Sequence, residues 1–298
     1  MSLSCGIVGL PNAGKSTLFN ALASRRLAET AVRPFTTIEP HEAVVSVPDE
    51  DLEKLSKLIK PDETVPATVT FIDIAGLVKG AHKGEGLGNQ FLAKIREVDA
   101  IVHVVRDFKD KNVPHVHDKI DPQEDIEIVN LELELGGIKE KPTIYIINVG
   151  EDDLLNNDIS ANQDINTIKI CARLEEELID LIPEERREYL KEMGIKESGL
   201  EKLIKKAYEL LGLISFYTIK GGKEVHAWSL KKGSTALEAA EKVHTDFAKN
   251  FIKAEVIRIK ELFEIGSWKF AKEKGKIRLE GKNYIVEDKD VIEFKTGA

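Results

Sequence analysis

A glycine-rich turn near the start of the chain limits its fold more than any other feature. The turn reads Gly9-x-x-x-x-Gly14-Lys15-Ser16, and it lies between a short apolar run and a segment with helical periodicity. Two glycines at this spacing let the main chain curl so that its N–H groups face phosphate oxygens, and the helix that follows adds its positive end. A strand, such a turn and a helix, in that order, predict a phosphate-binding P-loop.

Short apolar runs alternate with helical patterns over roughly the first two hundred residues. This alternation predicts an α/β domain with a mostly parallel sheet and helices on both faces. The predicted strands are residues 5–10, 43–47, 68–74, 100–105, 143–148 and 167–171, and the main predicted helices are residues 15–27, 89–97, 122–135 and 199–211.

The pattern changes after Gly212. A hairpin with its turn at Gly221 and Gly222 is followed by a predicted helix over residues 235–247. Four short strands are predicted beyond it, at residues 255–259, 276–281, 283–288 and 290–294. We therefore predict two domains: a P-loop nucleotide-hydrolase (G) domain over residues 1–212, and a small α+β domain over residues 213–298.

Composition narrows the functional classes. The chain has two cysteines, Cys5 and Cys171, which excludes a disulfide framework or a zinc cluster and fits a reducing cytoplasm. The apolar run at the start is too short and glycine-broken for a signal peptide or a membrane span, so we expect no membrane partner. The net charge of −9 argues against a general nucleic-acid binder, and we expect no DNA partner. From Leu213 onward the chain has 17 Lys and Arg and 13 Asp and Glu. This local positive balance is consistent with an RNA contact and equally with an ordinary solvated surface.

Residue types in the turn and after the third strand predict how phosphate and metal are held. Lys15 can reach the β- and γ-phosphates, and the Ser16 hydroxyl can bind Mg²⁺. The strand TVTFIDI delivers Asp73, which can hold Mg²⁺ through water, and Gly76, whose N–H can bond the γ-phosphate. The predicted phosphate-binding residues of the loop are Asn12, Ala13, Gly14, Lys15, Ser16 and Thr17.

A fourth segment points to the nucleotide base. GTPases end a strand here in Asn-Lys-x-Asp, whose carboxylate accepts two hydrogen bonds from guanine, but this chain has Asn148-Val149-Gly150-Glu151. Adenine has no N1–H or 2-amino group that could donate to a carboxylate. Replacing the Asn-Lys-x-Asp pattern therefore removes the contacts that would favour guanine. We predict base-binding residues Asn148, Val149 and Glu151, while Asp152, shifted by one residue, stays open as a guanine-reading carboxylate.

These motifs together resemble the Obg-like ATPase (YchF) subfamily of translation-factor-type P-loop GTPases. The resemblance extends over nearly the whole chain, and the DIAG segment is its most specific part. It rests on GLPNAGKS, PFTTIEP, DIAGLVKGAHKGEGLGNQFL, NVGE and, toward the end, KEVHAWSLKKG, AAEKVHTDF and NFIKAEVI. It implies that ATP, with Mg²⁺, is preferred over GTP, that the partner is the ribosome or its RNA or protein, and that residues 213–298 form a TGS-like β-grasp domain.

The resemblance also assigns residues that the motifs alone leave open. In the loop RPFTTIEP, either Thr36 or Thr37 can bring a second hydroxyl to Mg²⁺, and the resemblance favours Thr37. Leu77 stands where many GTPases place a glutamine that orients water, and a hydrophobic side chain cannot do so. The resemblance points instead to His115 as the catalytic residue, although on residues alone His115 and His117 read as solvated loop histidines.

The chain departs from the family pattern at Gly136-Gly137. Family members have a long helical coiled-coil insert here, whereas seven residues, GGIKEKP, connect the helix to the next strand. We predict that the first domain folds and binds nucleotide without the insert. Two functional alternatives to an ATPase remain: a GTPase that reads guanine with Asp152, and a nucleotide-gated adaptor that hydrolyses little.

Overall fold

A computed structural model describes residues 3–30, 41–74, 87–116, 119–155 and 166–297. The chain forms two compact units, one of Met1–Val45 and Val69–Leu211 and one of Ser46–Thr68 and Gly212–Ala298. The contacts thus group Ser46–Thr68 with the second unit, whereas the division expected from the sequence placed this segment in the first. Within the described ranges, no helix is long and apolar enough to span a bilayer.

The first unit is built on a six-stranded sheet, and every strand predicted for this region is present. Strands β4, β1, β5, β6 and β7 pair in parallel in that order, with β2 at the edge beside β4. All five residues of β1 and the first seven of β5 are buried, so both faces of the sheet are covered, as parallel sheets require. The strands are β1 (Ser4–Val8), β2 (Glu42–Ser46), β4 (Thr68–Asp73), β5 (Ala100–Asp107), β6 (Thr143–Val149) and β7 (Thr167–Ile170), numbered along the chain.

Helices connect these strands and form the core with them. One cluster joins the sheet, through Val8 and Ile101, to α3 through Ile95 and to α4 through Val129. Helix α7 packs on β6 and β7. The helices of this unit are α1 (Lys15–Thr30), α3 (Leu87–Glu97), α4 (Pro122–Leu135), α5 (Ala172–Glu177), α6 (Pro183–Glu192) and α7 (Gly199–Leu210). The α/β fold predicted for the first domain is confirmed.

Helix α4 ends in a Schellman motif at the position of the short connection. Gly137 has φ +74, its N–H donates to Glu134 O over 2.9 Å, and the Ile138 N–H donates to Leu133 O over 2.9 Å. Ile138 also packs with the cluster that contains Leu133, which is the apolar contact typical of this motif. The two glycines therefore form a complete helix end, and the chain passes directly into β6.

Side chains on both sides hold this connection against α3. The Arg96 guanidinium donates to Gly136 O over 2.8 Å. Lys141 Nζ donates to Ile95 O over 2.6 Å and also to Val98 O. It thus supplies hydrogen bonds to main-chain carbonyls at the end of α3. Lys141 Nζ also donates to Arg96 O over 3.2 Å, so these bonds to the connection involve four main-chain carbonyls.

The second unit is a mixed sheet with a helix against it. The strand order is β11-β10-β12-β8-β9-β3, in which β12 and β8 are parallel, β3 and β9 are parallel, and the other pairs are antiparallel. Ala236 and Ala239 of α8 pack on Phe216, Val256 and Ile292 of the sheet. The strands are β3 (Glu63–Val65), β8 (Leu213–Lys220), β9 (Glu224–Lys231), β10 (Phe251–Arg258), β11 (Arg278–Glu280) and β12 (Asp290–Thr296), and the helices are α2 (Glu50–Ile59), α8 (Ala236–Val243), α9 (Thr245–Lys249), α10 (Ile259–Ile265) and α11 (Trp268–Glu273).

The second unit differs from the sequence prediction in three places. The single helix predicted over residues 235–247 is wrong, because His244 is extended at φ −164 and its Nδ1 accepts the Asp246 N–H to start a new helix. Residues 283–288 form no strand and make only a bridge between Ile285 and Thr235. Helices α10 and α11 were not predicted; each is short, with seven and six residues, so neither shows a long periodic pattern.

The segment from Ser46 to Thr68 completes this second sheet. Its strand β3 pairs in parallel with β9 and covers that edge. The Tyr217 hydroxyl donates to the Asp49 carboxylate over 2.8 Å, and burial, followed by the charge of Asp49, raises the pKa of this hydroxyl. Asp49 also caps α2, and Leu52 and Leu55 of that helix are buried. The segment is therefore an integral part of the second unit.

Candidate nucleotide-binding site

The phosphate loop has a backbone that only glycine adopts without strain at two positions. Gly9 has φ +151 and Gly14 has φ +95. A Cβ atom at Gly9 would lie 2.2 Å from the Val104 carbonyl oxygen, and one at Gly14 would lie 2.2 Å from Asn148 Nδ2. The loop therefore lies directly on β5 and β6, and these close approaches restrict its conformation.

Lys15 is folded back over the loop. Its Nζ donates to Leu10 O over 2.7 Å. Burial lowers the pKa of Lys15 to about 8, although the nearby charge of Asp73 acts in the opposite direction. Among the described residues, the hydrogen-bond acceptor of this largely buried ammonium is a carbonyl, and a phosphate oxygen at this place would be a much better partner.

This lowered pKa predicts that nucleotide binding takes up a proton. Phosphate stabilises the charged form of Lys15, so binding raises the pKa of this residue, and affinity falls as pH increases above about 8. At about pH 8.5, where the γ-phosphate is already ionised, calorimetry in two buffers of different ionisation enthalpy should show a fraction of a proton taken up. Lys15→Arg is the matched control, because its guanidinium stays charged and should take up none. Equal proton uptake by both proteins would contradict the prediction.

Two side chains predicted to bind Mg²⁺ lie at the same edge of the sheet. Asp73 ends β4, paired with Ile7 of β1, and is partly exposed, while Ser16 at the start of α1 is exposed. Among described residues there is no group of three or more His, Cys, Asp or Glu that could hold a metal. One hydroxyl and one carboxylate nevertheless fit Mg²⁺, which keeps several waters and takes other oxygens from the bound phosphates.

Asn148 ties the end of β6 to the phosphate loop. Its Nδ2 donates to Ala13 O over 2.9 Å, and its Oδ1 accepts the Ala172 N–H over 3.0 Å. The side chain is buried, so these two bonds fix the loop relative to the turn after β7. Asn148 was predicted to contact the base, and the bonds described here are structural ones.

The remaining residues of the base motif follow Asn148 along the chain and differ in their exposure. Val149 is buried, while Glu151 is exposed in a short 3₁₀ turn, where its carboxylate accepts from the Tyr189 hydroxyl over 3.3 Å. Asp152 is exposed in the same turn. The Glu151 carboxylate therefore lies at the edge of the sheet, and position 149 is a valine where the GTPase motif has a lysine.

The loop after β5 is hydrogen-bonded to the phosphate loop. The buried Arg106 guanidinium donates to the carbonyls of Phe108, Val113 and Pro114 over 3.2, 2.9 and 3.2 Å, and it lies over the Phe108 ring at 4.5 Å. Asn12 Nδ2 donates to the same Pro114 carbonyl over 3.1 Å. The residue before His115 is therefore held by one side chain from β5 and one from the phosphate loop.

His115 itself is turned toward α4. Its Nε2 lies 3.0 Å from Asp125 Oδ2, and the two side chains are 6% and 4% exposed. The sequence suggested a solvated loop histidine if the family resemblance were set aside, but the ring is buried against a carboxylate. Asp125 was not predicted, because it reads as one of many acidic residues on a helix.

Comparison with known proteins gives full-length matches. A relative named ribosome-binding ATPase YchF, from Bacillus subtilis, is 41% identical over 365 residues, covering 99% of both chains, and one from Escherichia coli O157:H7 is 42% identical over 361 residues. The solved structure of the Schizosaccharomyces pombe YchF GTPase superposes with a TM-score of 0.85 at 33% identity, covering 99% of this chain and 98% of that one. The chain belongs to the YchF family.

Two family models divide this YchF protein much as its sequence pattern does. A model described as a 50S ribosome-binding GTPase matches residues 4–149, and the YchF GTPase C-terminal model, described as a protein of unknown function, matches residues 213–297. The first makes the chain a P-loop nucleotide hydrolase. Both bacterial alignments are longer than this chain, so part of each relative has no counterpart here.

The structure places most of the predicted YchF site residues at one edge of the sheet. Asn12, Ala13, Gly14, Lys15, Ser16 and Thr17 form the turn and the first residues of α1, with Asp73 and Asn148 at the carboxyl ends of two other strands of the same sheet, β4 and β6. Thr37 and Gly76 lie outside the described residues, as do Leu77 and His117. Their predicted roles in binding Mg²⁺, phosphate and water therefore stay predictions.

Sequence reasoning missed His103, which lies in β5. Burial, and then the charge of Lys15, lowers the pKa of His103 to about 3, so the ring is neutral at physiological pH. Neither ring nitrogen has a hydrogen-bond partner within the described ranges, and the Tyr145 ring lies 5.5 Å away. A neutral ring in this position adds no second positive charge near Lys15. An isolated histidine in an apolar run gives no signal of this in the sequence.

Proposed function

We propose that this YchF protein is a Mg²⁺-dependent ATPase that acts as a nucleotide switch for the ribosome in the cytoplasm. The observation that carries the choice of nucleotide is the strand end Asn148-Val149-Gly150-Glu151, placed beside a preformed phosphate loop. A GTPase motif has a lysine and an aspartate at the second and fourth positions of this strand end. The names of relatives do not decide the nucleotide, because the bacterial ones are called ATPases and the yeast one a GTPase.

Tighter binding of ATP than of GTP is the first expected result. Loss of the short carboxylate fork removes discrimination in favour of guanine, and such polar recognition is worth on the order of a few kcal/mol. Competition of unlabelled ATP and GTP against a fluorescent nucleotide, with Mg²⁺ present, measures both affinities. The matched variant Val149→Lys with Glu151→Asp restores the GTPase pattern and should move the ratio toward GTP by tenfold or more. A parent protein that prefers GTP by tenfold would disprove the proposal.

The phosphates and the metal would be held by the residues already described. Ser16 and Asp73, together with Thr37, are the side chains that would bind Mg²⁺, which neutralises charge on the phosphate oxygens. Lys15 would leave Leu10 O and donate to the β- and γ-phosphates. The main-chain N–H groups from Asn12 to Thr17 would surround the remaining oxygens.

His115 is the proposed catalytic residue for hydrolysis. Leu77 cannot hydrogen-bond water, and Lys15 and Asp73 are committed to phosphate and metal. An imidazole can accept a hydrogen bond from water at neutral pH. The tie between Asn12 of the phosphate loop and Pro114 supports this role, because it keeps the His115 segment next to the loop that binds the γ-phosphate.

Replacement of His115 should slow hydrolysis without loss of ATP affinity. We expect His115→Ala to lower the single-turnover rate by about a hundredfold or more, which is the usual scale of general acid–base and orienting effects. The dissociation constant for ATP should stay within about twofold, because the ring contacts water rather than nucleotide. His117→Ala is the matched control and should hydrolyse at the parent rate. Parental hydrolysis by His115→Ala would show that another group positions the water.

A ribosomal partner is the third part of the proposal. It rests on the bacterial relatives, which are named ribosome-binding, at 41% and 42% identity over 99% of this chain. Cosedimentation with 70S ribosomes in the presence of ATP, ADP or no nucleotide tests both binding and switching. Binding that is equal in all three conditions would leave a ribosome-binding protein without a switch, and no binding in any condition would disprove this part.

A further inference from the structure

The histidine–carboxylate pair between the loop and α4 has a defined chemistry. An ionised Asp125 carboxylate can only accept hydrogen bonds, so opposite it the His115 Nε2 carries the proton of their 3.0 Å contact. A neutral imidazole with its proton on Nε2 has its lone pair on Nδ1. The carboxylate therefore determines which nitrogen of His115 is able to accept a hydrogen bond from water.

Asp125 is held in place by the first turn of α4. Asp121 caps this helix by accepting the Glu124 N–H, Pro122 occupies the first turn, and the Asp125 N–H donates to Asp121 O over 3.0 Å. One turn later Val129 is fully buried in the core between α4 and the sheet. A carboxylate on such a rigid element can fix a partner ring more accurately than one on a loop.

The main chain of His115 is fixed independently of its ring. Pro114 O accepts from both Asn12 and Arg106, and neither of these side chains contacts the imidazole through a described bond. The backbone of the segment is thus set by the phosphate loop and β5, while the ring orientation is set by α4. Removal of the carboxylate should therefore remove this bond to the ring without releasing the segment.

We propose that Asp125 is a positioning residue for hydrolysis, which orients His115 and holds it as the tautomer with the proton on Nε2. This inference rests on the proposed catalytic role of His115. Asp125 does not touch substrate; it acts through the ring. Its loss should affect the rate of hydrolysis and leave nucleotide affinity unchanged.

A double-mutant cycle on the full chain tests this inference. Asp125→Ala should lower the single-turnover rate by about tenfold or more, the usual scale for losing a carboxylate that orients a functional histidine. Asp125→Glu, which keeps a carboxylate that can only accept when ionised, should lose less. In a His115→Ala background, Asp125→Ala should cause no further loss, because the two residues act as one unit. Affinity for ATP and the thermal unfolding midpoint show whether each variant is folded.

Nuclear magnetic resonance on protein labelled with ¹⁵N-histidine gives a readout that does not depend on activity. The parent should show an Nε2-bound proton on His115 that exchanges slowly with solvent, assigned by its absence in His115→Ala. This signal should broaden or vanish in Asp125→Ala and persist in Asp125→Glu. A signal unchanged in Asp125→Ala would overturn the proposal.

The rates separate failure of this inference from failure of the proposed function. If His115→Ala is slow but Asp125→Ala hydrolyses at the parent rate, the inference alone fails. If Asp125→Ala is faster than the parent, the carboxylate restrains His115 rather than positions it, and the inference is also wrong. If Asp125→Ala lowers the rate equally in both backgrounds, its role is structural. If His115→Ala keeps the parent rate, the catalytic role of His115 and the positioning role of Asp125 are both wrong.

Discussion

Lys15→Ala should abolish tight binding of nucleoside triphosphates, with a loss of affinity of about a hundredfold or more. The lysine would make charge-assisted bonds to two phosphates, each worth about 1.5–3 kcal/mol, and about 1.4 kcal/mol corresponds to a tenfold change. Its ammonium is already buried against Leu10 O, so little is lost in ordering it. Among the side chains described around the loop, His103 is the other basic group near Lys15, and it is neutral and buried.

Titration calorimetry with ATP and Mg²⁺ measures this effect. Lys54→Ala is a suitable control, because Lys54 is exposed on α2 and, within the described ranges, its ion pair is with the exposed Glu50 over 3.7 Å. The control should bind ATP as the parent does, since exposed pairs contribute little to stability or shape. Undiminished affinity in Lys15→Ala would rule out Gly9–Ser16 as the phosphate-binding loop.

Gly9→Ala is the second change with a large expected effect. Its Cβ would lie 2.2 Å from the main-chain oxygen of Val104 in the centre of the sheet, and the φ of +151 is strained for any L-residue with a side chain. Backbone cannot move aside cheaply, so either the free energy of unfolding falls by several kcal/mol or the loop is displaced and nucleotide binding is lost.

Denaturant unfolding and ATP affinity, measured on the same preparation, distinguish these two outcomes. Gly281→Ala provides the control, because a Cβ there meets no atom within 4 Å and φ is not positive. That variant should lie within about 0.5 kcal/mol of the parent. Parental stability together with parental affinity in Gly9→Ala would show that the loop does not rest on β5 as described.

The sequence predicted those parts of the site that depend on neighbouring residues. The turn from Gly9 to Ser16, the strand that ends at Asp73 and the strand that ends at Asn148 are each local patterns, and parallel pairing brings their carboxyl ends to one edge. The hydrogen bonds of Asn148 to Ala13 and Ala172 form at this same edge of the sheet. They are, however, tertiary contacts 135 and 24 residues apart in the chain, and no local pattern encodes them.

The surroundings of His115 could not be predicted for the same reason. Arg106 lies at the end of an apolar run and Asp125 in the first turn of a helix, positions where charged residues are usually solvated. Only the fold brings both to the loop between them. In the second unit, the helix break at His244 was missed because a histidine seldom caps a helix, and its extended φ of −164 leaves no trace in the periodicity.

The segment from Ser46 to Thr68 is synthesised long before the strands with which it packs. Its two ends meet where the Val47 N–H donates to Ala67 O over 2.8 Å, yet the strands that it completes, β8 and β9, begin about 145 residues later. At about 5–20 residues per second, the segment waits roughly seven to thirty seconds for its partners. Throughout that interval Leu52 and Leu55 have no sheet to cover them. Nascent chains that stall before residue 213 should therefore be more prone to capture by chaperones than chains released whole.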